Sequence, residues 1–444
     1  MVAGSLHVRD TQDDRMRGVR VALAAAIVFL TAALTAAAPA PTPTPTPDPV
    51  DPVRNMEYWL KEYGISDAWK TTKGAGTTIA VIDTGIGRGP KELDGAVVGG
   101  ADFSGVGKAD GRAPVGDSDR NHGSWVASLA AGRGTAADKG MIGVAPEADL
   151  LSLSIGFGDN ASVPFVDQVA EAIRWAVDHG ADVINLSFTT NTLDWDPSWD
   201  DAFLYAFDHD VVVVVAAGNR ESGTEEVGAP ATIPGVLTVG GVDREGRASN
   251  TASTQGITIG ISAPSEELLG VSANGDLVIW DGTSGAAPIV AGVAALVRSA
   301  HPELSAGNVI NRLIKTATPS DRVKKVPSAL YGYGLINAAK AVTASVPAVS
   351  ANPADDLREW IRLYRRAESS PAPSATPTPF TVAPLPEAEP PSGAVSPLLP
   401  SSETLRYGTV PLVVLSLGTI LVVLGVTAAA RRIRSARTPR PPSR

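Results

Sequence analysis

The chain has 444 residues, room for one large domain with appendages, and its 37 Lys and Arg against 47 Asp and Glu leave a net charge of −10. It has no cysteine and only 5 histidines, which excludes disulfide scaffolds, Cys-ligated zinc, iron–sulfur clusters and thiol nucleophiles, and makes a His-rich metal cluster a poor fit. Four arginines precede residue 39 and six follow residue 409, where no acid occurs, so the acidic excess lies in the middle and argues against a nucleic-acid partner.

Arg15, Arg17 and Arg20 lead into an apolar run from Val21 to Leu34, followed by small residues through Ala36-Ala37-Ala38. A basic start, a short apolar stretch and an Ala-x-Ala pattern read as a secretory signal over 1–38. As a helix that run spans about 21 Å, short of the roughly 30 Å hydrocarbon core of a bilayer. Residues 39–53 form a Thr/Pro-rich linker, with the repeat Pro41 to Pro47 expected to be extended.

Residues 54–346 alternate strands and helices. Thr78–Ile82, Asp149–Ile155, Asp182–Ser187 and Val211–Ala216 are near-continuous apolar runs, the look of parallel strands covered on both faces. Helical patterns fall at His122–Arg133, Phe165–His179, Ser198–Asp208, Ala286–Ala300 and Ala306–Thr316. This rhythm predicts an α/β domain with a doubly wound, mostly parallel sheet and helices on both faces.

Beyond it, Leu357, Trp360, Ile361 and Tyr364 share one helical face, with Arg358, Arg362, Arg365 and Arg366 nearby. Segment 347–370 is therefore expected to be a short amphipathic helix packed on the domain. Residues 371–409 form a stalk rich in Pro, Ser, Ala and Thr; its stretch from Pro371 to Pro400 reaches about 90 Å if extended. Residues 410–430 carry no charge and are long enough to span a membrane. The six arginines of 431–444 place that tail in the cytoplasm, so 39–409 is expected outside a cell membrane crossed once.

Ligands of such sheets sit at the carboxyl ends of the strands, and the chemistry-bearing residues gather there. The first strand ends in Asp83-Thr-Gly, Asn121-His122-Gly opens a helix, Val211–Ala216 runs into Ala217-Gly218-Asn219, and Gly282-Thr-Ser284-Gly heads an apolar helix. A serine hydroxyl is a weak nucleophile that needs a base within hydrogen-bond reach. Histidine can take its proton and return it to a leaving amine, and a carboxylate behind the ring fixes the tautomer. Asn219 can donate its amide to a developing oxyanion, beside the backbone N–H of Ser284. Singly, Asp83 suits a turn, Ser284 a helix cap and Asn219 a left-handed turn. Together, in order at strand ends, they point to nucleophilic hydrolysis.

These stretches resemble the subtilisin-like serine proteases, or subtilases, over about residues 55–345. Val81-Ile-Asp83-Thr-Gly, Asn121-His122-Gly, Ala216-Ala-Gly-Asn219 and Gly282-Thr-Ser284-Gly-Ala-Ala-Pro288 carry the resemblance, supported by Gly143-Val-Ala-Pro146, Val183-Ile-Asn-Leu-Ser187, Ala229-Pro-Ala and Ser262-Ala-Pro264. It implies an endopeptidase working through an acyl-enzyme, with Asp83, His122 and Ser284 as triad and Asn219 in the oxyanion hole. It also implies that substrate backbone adds as a strand beside Ser154, Ile155 and Gly156 and beside Leu186 and Ser187, near Gly218.

The layout of signal, protease domain, stalk, membrane helix and basic tail resembles the mycosins, membrane-anchored proteases associated with type VII secretion. That implies a protein substrate and a membrane secretion complex as partners. A second reading makes the chain chiefly a structural member of such a complex, with proteolysis secondary.

The chain departs from these families in several places. It has no cysteine, where mycosins carry them. Gly285 follows the serine where Met or an aromatic is common, and Ser187-Phe188-Thr189 replaces Ser-Leu-Gly. Residues 39–52 are too short for a folded inhibitory propeptide, so either the domain folds without one or residues 39–54 lie as a clip across its surface. No cofactor is implied. Gly85-Ile-Gly87-Arg-Gly89-Pro90 does not fit a dinucleotide loop, and Asp110, Asp117 and Asp119 lack calcium-ligand spacing. His179, His209 and His301 read as helix-end residues near the negative dipole end.

Overall fold

The computed structural model describes residues 51–117, 119–365 and 424–428. The expected signal segment, the linker up to residue 50, the stalk and the basic tail lie outside these residues. So does the 410–430 span, apart from a helical piece at 424–428.

Three short helices open the domain: α1 (Pro52–Met56), α2 (Trp59–Glu62) and α3 (Ile65–Ala68). Then follow β1 (Thr78–Asp83), β2 (Val97–Asp102), α4 (His122–Ala131), β3 (Asp149–Ser154), α5 (Phe165–Asp178), β4 (Val183–Leu186), α6 (Ser198–Asp208) and β5 (Val212–Ala216). The second half holds β6 (Leu237–Val242), β7 (Ile259–Pro264), β8 (Leu268–Val271), β9 (Leu277–Trp280), α7 (Thr283–Ala300), α8 (Ala306–Thr316), α9 (Ala338–Thr343) and α10 (Leu357–Tyr364).

Seven strands make one sheet in the order β2-β3-β1-β4-β5-β6-β7, and each neighbouring pair is parallel. Every residue of β4 and β5 is buried, as their unbroken apolar runs require when helices cover both faces. One face packs against α4, α7, α8 and α9, and the other against α5, α6 and α10. The strand order reverses direction at β1, so the crevice of the fold opens where β1 and β4 end, at Asp83 and Ser187. A separate antiparallel hairpin, β8-β9, feeds directly into α7.

Helix α7 is the core of the domain. Among the described residues it alone is long and apolar enough to cross a membrane, and 89% of it is buried inside the protein. It begins at Thr283, three residues before the apolar run expected from the sequence, because Asn219 Oδ1 accepts from the Thr283 N–H at 2.8 Å and satisfies an otherwise orphaned first-turn donor. Helix α10 packs on α6. Leu357 is buried, the Trp360 ring lies 4.5 Å from Trp195, and Arg365 Nε donates to Asp200 at 2.8 Å.

The N-terminal segment is tied in by an unusual group. Glu57 is buried and accepts from the Ile142 N–H through Oε1 at 2.8 Å, while its Oε2 has no partner among the described residues. Arg54 Nε stands 3.9 Å away, beyond hydrogen-bond range, so its charge offsets only part of the burial cost. Burial pushes the Glu57 carboxyl from an ordinary 4.5 up to about 8. Folding at pH values between these two therefore draws a proton onto Glu57. Its contribution to stability is complete below 4.5 and declines as pH rises to about 8, above which both states are ionised. Glu57→Gln, which has no such proton to take up, is expected to flatten this decline. Urea midpoints of both forms at about pH 5 and about pH 8.5 check it, and parallel pH dependence would refute it.

Candidate active site

Asp83 ends β1 and His122 opens α4, and the structure brings their side chains into contact. His122 Nδ1 lies 2.8 Å from Asp83 Oδ1 and 3.0 Å from Oδ2, with both residues fully buried. A carboxylate only accepts, so Nδ1 carries the proton and Nε2 is left as the basic nitrogen. His122 Nε2 is buried with no hydrogen-bond partner among the described residues.

Thr84, which the motif pattern does not single out, holds this pair in register. Its N–H donates to Asp83 Oδ1 at 2.7 Å, and its hydroxyl accepts from the Gly123 N–H at 2.9 Å. The end of β1 is thereby pinned to the first turn of α4. Trp280 and Trp125 stand edge-on to the imidazole at 5.5 and 6.0 Å, an apolar wall that the motifs do not reveal.

Ser284 sits in the first turn of α7, 4% exposed. Its Oγ donates to the Ser187 carbonyl at 3.0 Å, and Ser187 Oγ donates back to the Ser284 carbonyl at 2.9 Å. The second bond has a covalent cause. In an α-helix the Ser284 carbonyl would accept from the N–H four residues on, but Pro288 has none, and Ser187 takes the free oxygen. Asn185 Nδ2 in turn donates to Ser187 Oγ at 2.8 Å, fixing that hydroxyl as the donor.

Asn219 follows β5. Its Oδ1 accepts from both the Thr283 N–H and the Thr283 hydroxyl, at 2.8 and 3.0 Å. The planar amide therefore turns Nδ2 away from Thr283, and that NH2 has no hydrogen bond among the described residues. The Gly218 N–H donates to Thr283 Oγ1 at 3.0 Å. Gly218 has φ +102°, and a Cβ there would meet Thr224 and Thr189 methyls at 2.7 and 2.8 Å, so glycine is required.

The expected substrate-pairing positions are placed less simply. Leu186 is buried in the core within β4, next to Ser187. Ser154 Oγ donates to Asp102 Oδ1 at 2.7 Å, and the Ile155 N–H donates to the Asp83 carbonyl at 2.8 Å. The Gly156 N–H donates to Gln168 Oε1 at 2.7 Å, and its carbonyl accepts from Gln168 Nε2 at 3.4 Å. Gly156 thus spends both backbone groups within the protein, which neither its sequence nor that of Gln168, twelve residues on, signals.

Of the remaining candidates, His179 and His209 do cap helix ends, with Nδ1 2.8 Å from the Trp175 and Tyr205 carbonyls. His301 ends α7 but is partly covered, its Nε2 2.7 Å from the Val342 carbonyl. Asp110 pairs with Arg88 at 2.6 Å, while burial raises the Asp119 carboxyl.

Residues 74–334 match the model of the Subtilase family. Mycosin-4 of Mycobacterium tuberculosis is 31% identical over 356 residues, covering 70% of this chain and 74% of that protein. Subtilisin DY of Bacillus licheniformis is 35% identical over 274 residues, covering 60% of this chain and 90% of that protein. Among solved structures, MycP1 with its N-terminal propeptide removed superposes with a TM-score of 0.56 at 30% identity, covering 66% of this chain and 98% of that one. MycP3 protease from the type VII (ESX-3) secretion system gives 0.55 at 32% identity, covering 68% and 90%. The parallel sheet, the order of the motifs along it and the relatives agree: the chain belongs to the subtilase family of serine proteases and is related to the mycosins.

Proposed function

We propose that the chain is a membrane-tethered serine endopeptidase acting outside the cytoplasm, with Asp83, His122 and Ser284 as its triad. The observation that carries this is the buried Asp83–His122 pair, which leaves Nε2 basic and without a hydrogen-bond partner among the described residues, in the crevice where Ser284 heads α7. Ser284 Oγ leaves its resting bond to the Ser187 carbonyl, hands its proton to His122 Nε2 and attacks the scissile carbonyl carbon. Asn219 Nδ2 and the Ser284 backbone N–H take up the oxyanion. His122 then protonates the leaving amine, and water repeats the sequence on the acyl-enzyme. Asp83 holds the tautomer and stabilises the imidazolium throughout.

The domain layout supports the placement: a signal at 1–38, a linker at 39–53, the protease domain at 54–346, segment 347–370, a stalk at 371–409, a membrane helix at 410–430 and a cytoplasmic tail at 431–444. Kinship with Mycosin-4, and with MycP3 from a type VII (ESX-3) system, supports a role beside a membrane secretion complex, processing its protein substrates.

One experiment tests chemistry and topology together. A membrane-impermeant fluorophosphonate probe applied to intact cells carrying the full chain should label it, and Ser284→Ala should abolish the label. Labelling only after permeabilisation overturns the orientation. A folded wild type that never labels overturns the nucleophile and favours the structural role.

A further inference from the structure

Beside His122 the surface opens into a cleft of about 380 Å³, lined by Gly87, Arg88, Arg112, Arg120, Asn121 and Ala273 among others. Three guanidinium groups in one small cleft are out of character for a chain with a net charge of −10. Each is held differently. Arg112 is fixed as part of the wall, Nε and Nη2 donating at 2.8 Å to the carbonyls of Ile86 and Gly87. Arg88 is exposed and bonded to Asp110 at 2.6 Å. The Arg120 guanidinium is exposed and has no ion pair or hydrogen bond among the described residues. Burial and the neighbouring Arg88 push the Arg112 guanidinium downward, against the opposing pull of Asp110 and Asp94.

The cleft is also built into the catalytic frame. Arg120 and Asn121 immediately precede His122, Asn121 Oδ1 accepts from the Ala273 N–H at 3.1 Å, and the Gly87 N–H donates to Ser124 Oγ at 2.9 Å within α4. Its walls are therefore tied to the segment that carries the histidine. On the proposed mechanism His122 delivers its proton to the leaving amine, so the chain released as amine passes on the histidine side.

We propose that this cleft is a specificity subsite for an acidic side chain of the peptide substrate, on the leaving-group side of the scissile bond. Arg120 is the free donor that meets the carboxylate, Arg88 shares itself between Asp110 and the substrate, and Arg112 holds the wall. A guanidinium–carboxylate contact in a recessed site is a charge-assisted hydrogen bond, stronger than its neutral counterpart and directional. The inference rests on the protease reading, but binding at the cleft does not require a working nucleophile.

The test uses the full chain in detergent and a set of fluorogenic peptides that differ only in carrying Glu, Gln or Lys at each of the three positions after the cleaved bond. Glu at one of these positions should raise kcat/KM over Gln by about tenfold, with Lys lower still. Arg120→Gln should remove most of that preference, and Arg120→Glu should invert it toward Lys, both with fluorophosphonate labelling unchanged. Binding of the same peptides to Ser284→Ala, followed by fluorescence anisotropy, should show the same Glu-over-Gln order and weaken with salt. Equal affinity and turnover for Glu and Gln overturn the subsite, as does a preference that survives Arg120→Glu. Absent labelling and turnover with a retained Glu preference in binding would instead overturn the triad alone.

Discussion

Replacing Ser284 by alanine is expected to lower kcat by on the order of 10⁶, a magnitude carried over from subtilisin, where serine and histidine act as a unit. The geometry says why the loss should be so large. Every other candidate group in the crevice is already committed: Asp83 to His122 and Thr84, Ser187 to Ser284, and Asn219 Oδ1 to Thr283. Among the described residues no second hydroxyl is poised to take over. Asp83→Asn should cost about 10⁴, because an amide facing Nδ1 admits the wrong imidazole tautomer. Asn219→Ala should cost about 10²–10³ by removing one oxyanion donor. Asn219 Oδ1 also caps α7, so its thermal melt should drop as well, while that of Ser284→Ala should stay near wild type. Turnover of a fluorogenic peptide, with a melt for each variant, separates these effects. A folded Ser284→Ala protein keeping more than about one per cent of wild-type activity would sink the assignment.

Gly285→Met is expected to destabilise the fold rather than impair the chemistry directly. A Cβ at this position would stand 2.3 Å from Leu268 Cδ1 and 3.3 Å from both Leu129 Cδ1 and a Trp280 ring carbon. All three neighbours are buried, so the new side chain has no exit. Overpacking of this kind costs about 1–3 kcal/mol. Leu268→Ala opens the opposing space and by itself should cost about 2–5 kcal/mol. If the two residues share one volume, the double variant should cost less than the sum by about 1 kcal/mol or more. Denaturant midpoints for the four proteins measure that coupling, and simple additivity would show that Gly285 and Leu268 do not compete for space. The glycine after Ser284 is thus explained by packing: Leu268 of the β8-β9 hairpin fills the room that a larger residue would need.

Parts of this molecule are legible in the chain and parts are not, for physical reasons. Strands β1, β3, β4 and β5 are legible because two-sided burial leaves an unbroken apolar run. Strand β2 is not, since Val97-Val-Gly-Gly-Ala-Asp102 is half-exposed at a sheet edge. Nor are β6, with two glycines inside it, or β7, which contains Gly260 and ends in Pro264. Proline is tolerated there because β7 is the other edge of the sheet. At the site, Asp83, His122, Asn219 and Ser284 stand out because each closes a strand or opens a helix. Thr84, Trp125, Trp280 and Gln168 do not, because their roles lie in contacts between segments far apart in sequence. The reciprocal Ser187–Ser284 bonds are hidden for the same reason, although Pro288 is in plain view.

The opening helices are closed by the last part of the domain. The Ala338 N–H at the start of α9 donates to the Tyr63 carbonyl at 2.9 Å. Next to it, a Cβ on Gly64 would stand only 3.1 Å from the Ala339 Cβ, so the two segments meet closely. A ribosome therefore supplies the partner of the first helices only after the whole sheet has emerged. The four site residues likewise arrive on separate stretches, Ser284 last. Such long-range closure slows folding. Translation therefore supplies Asp83 and His122 well before Ser284, so the proposed triad cannot assemble until most of the domain has been made.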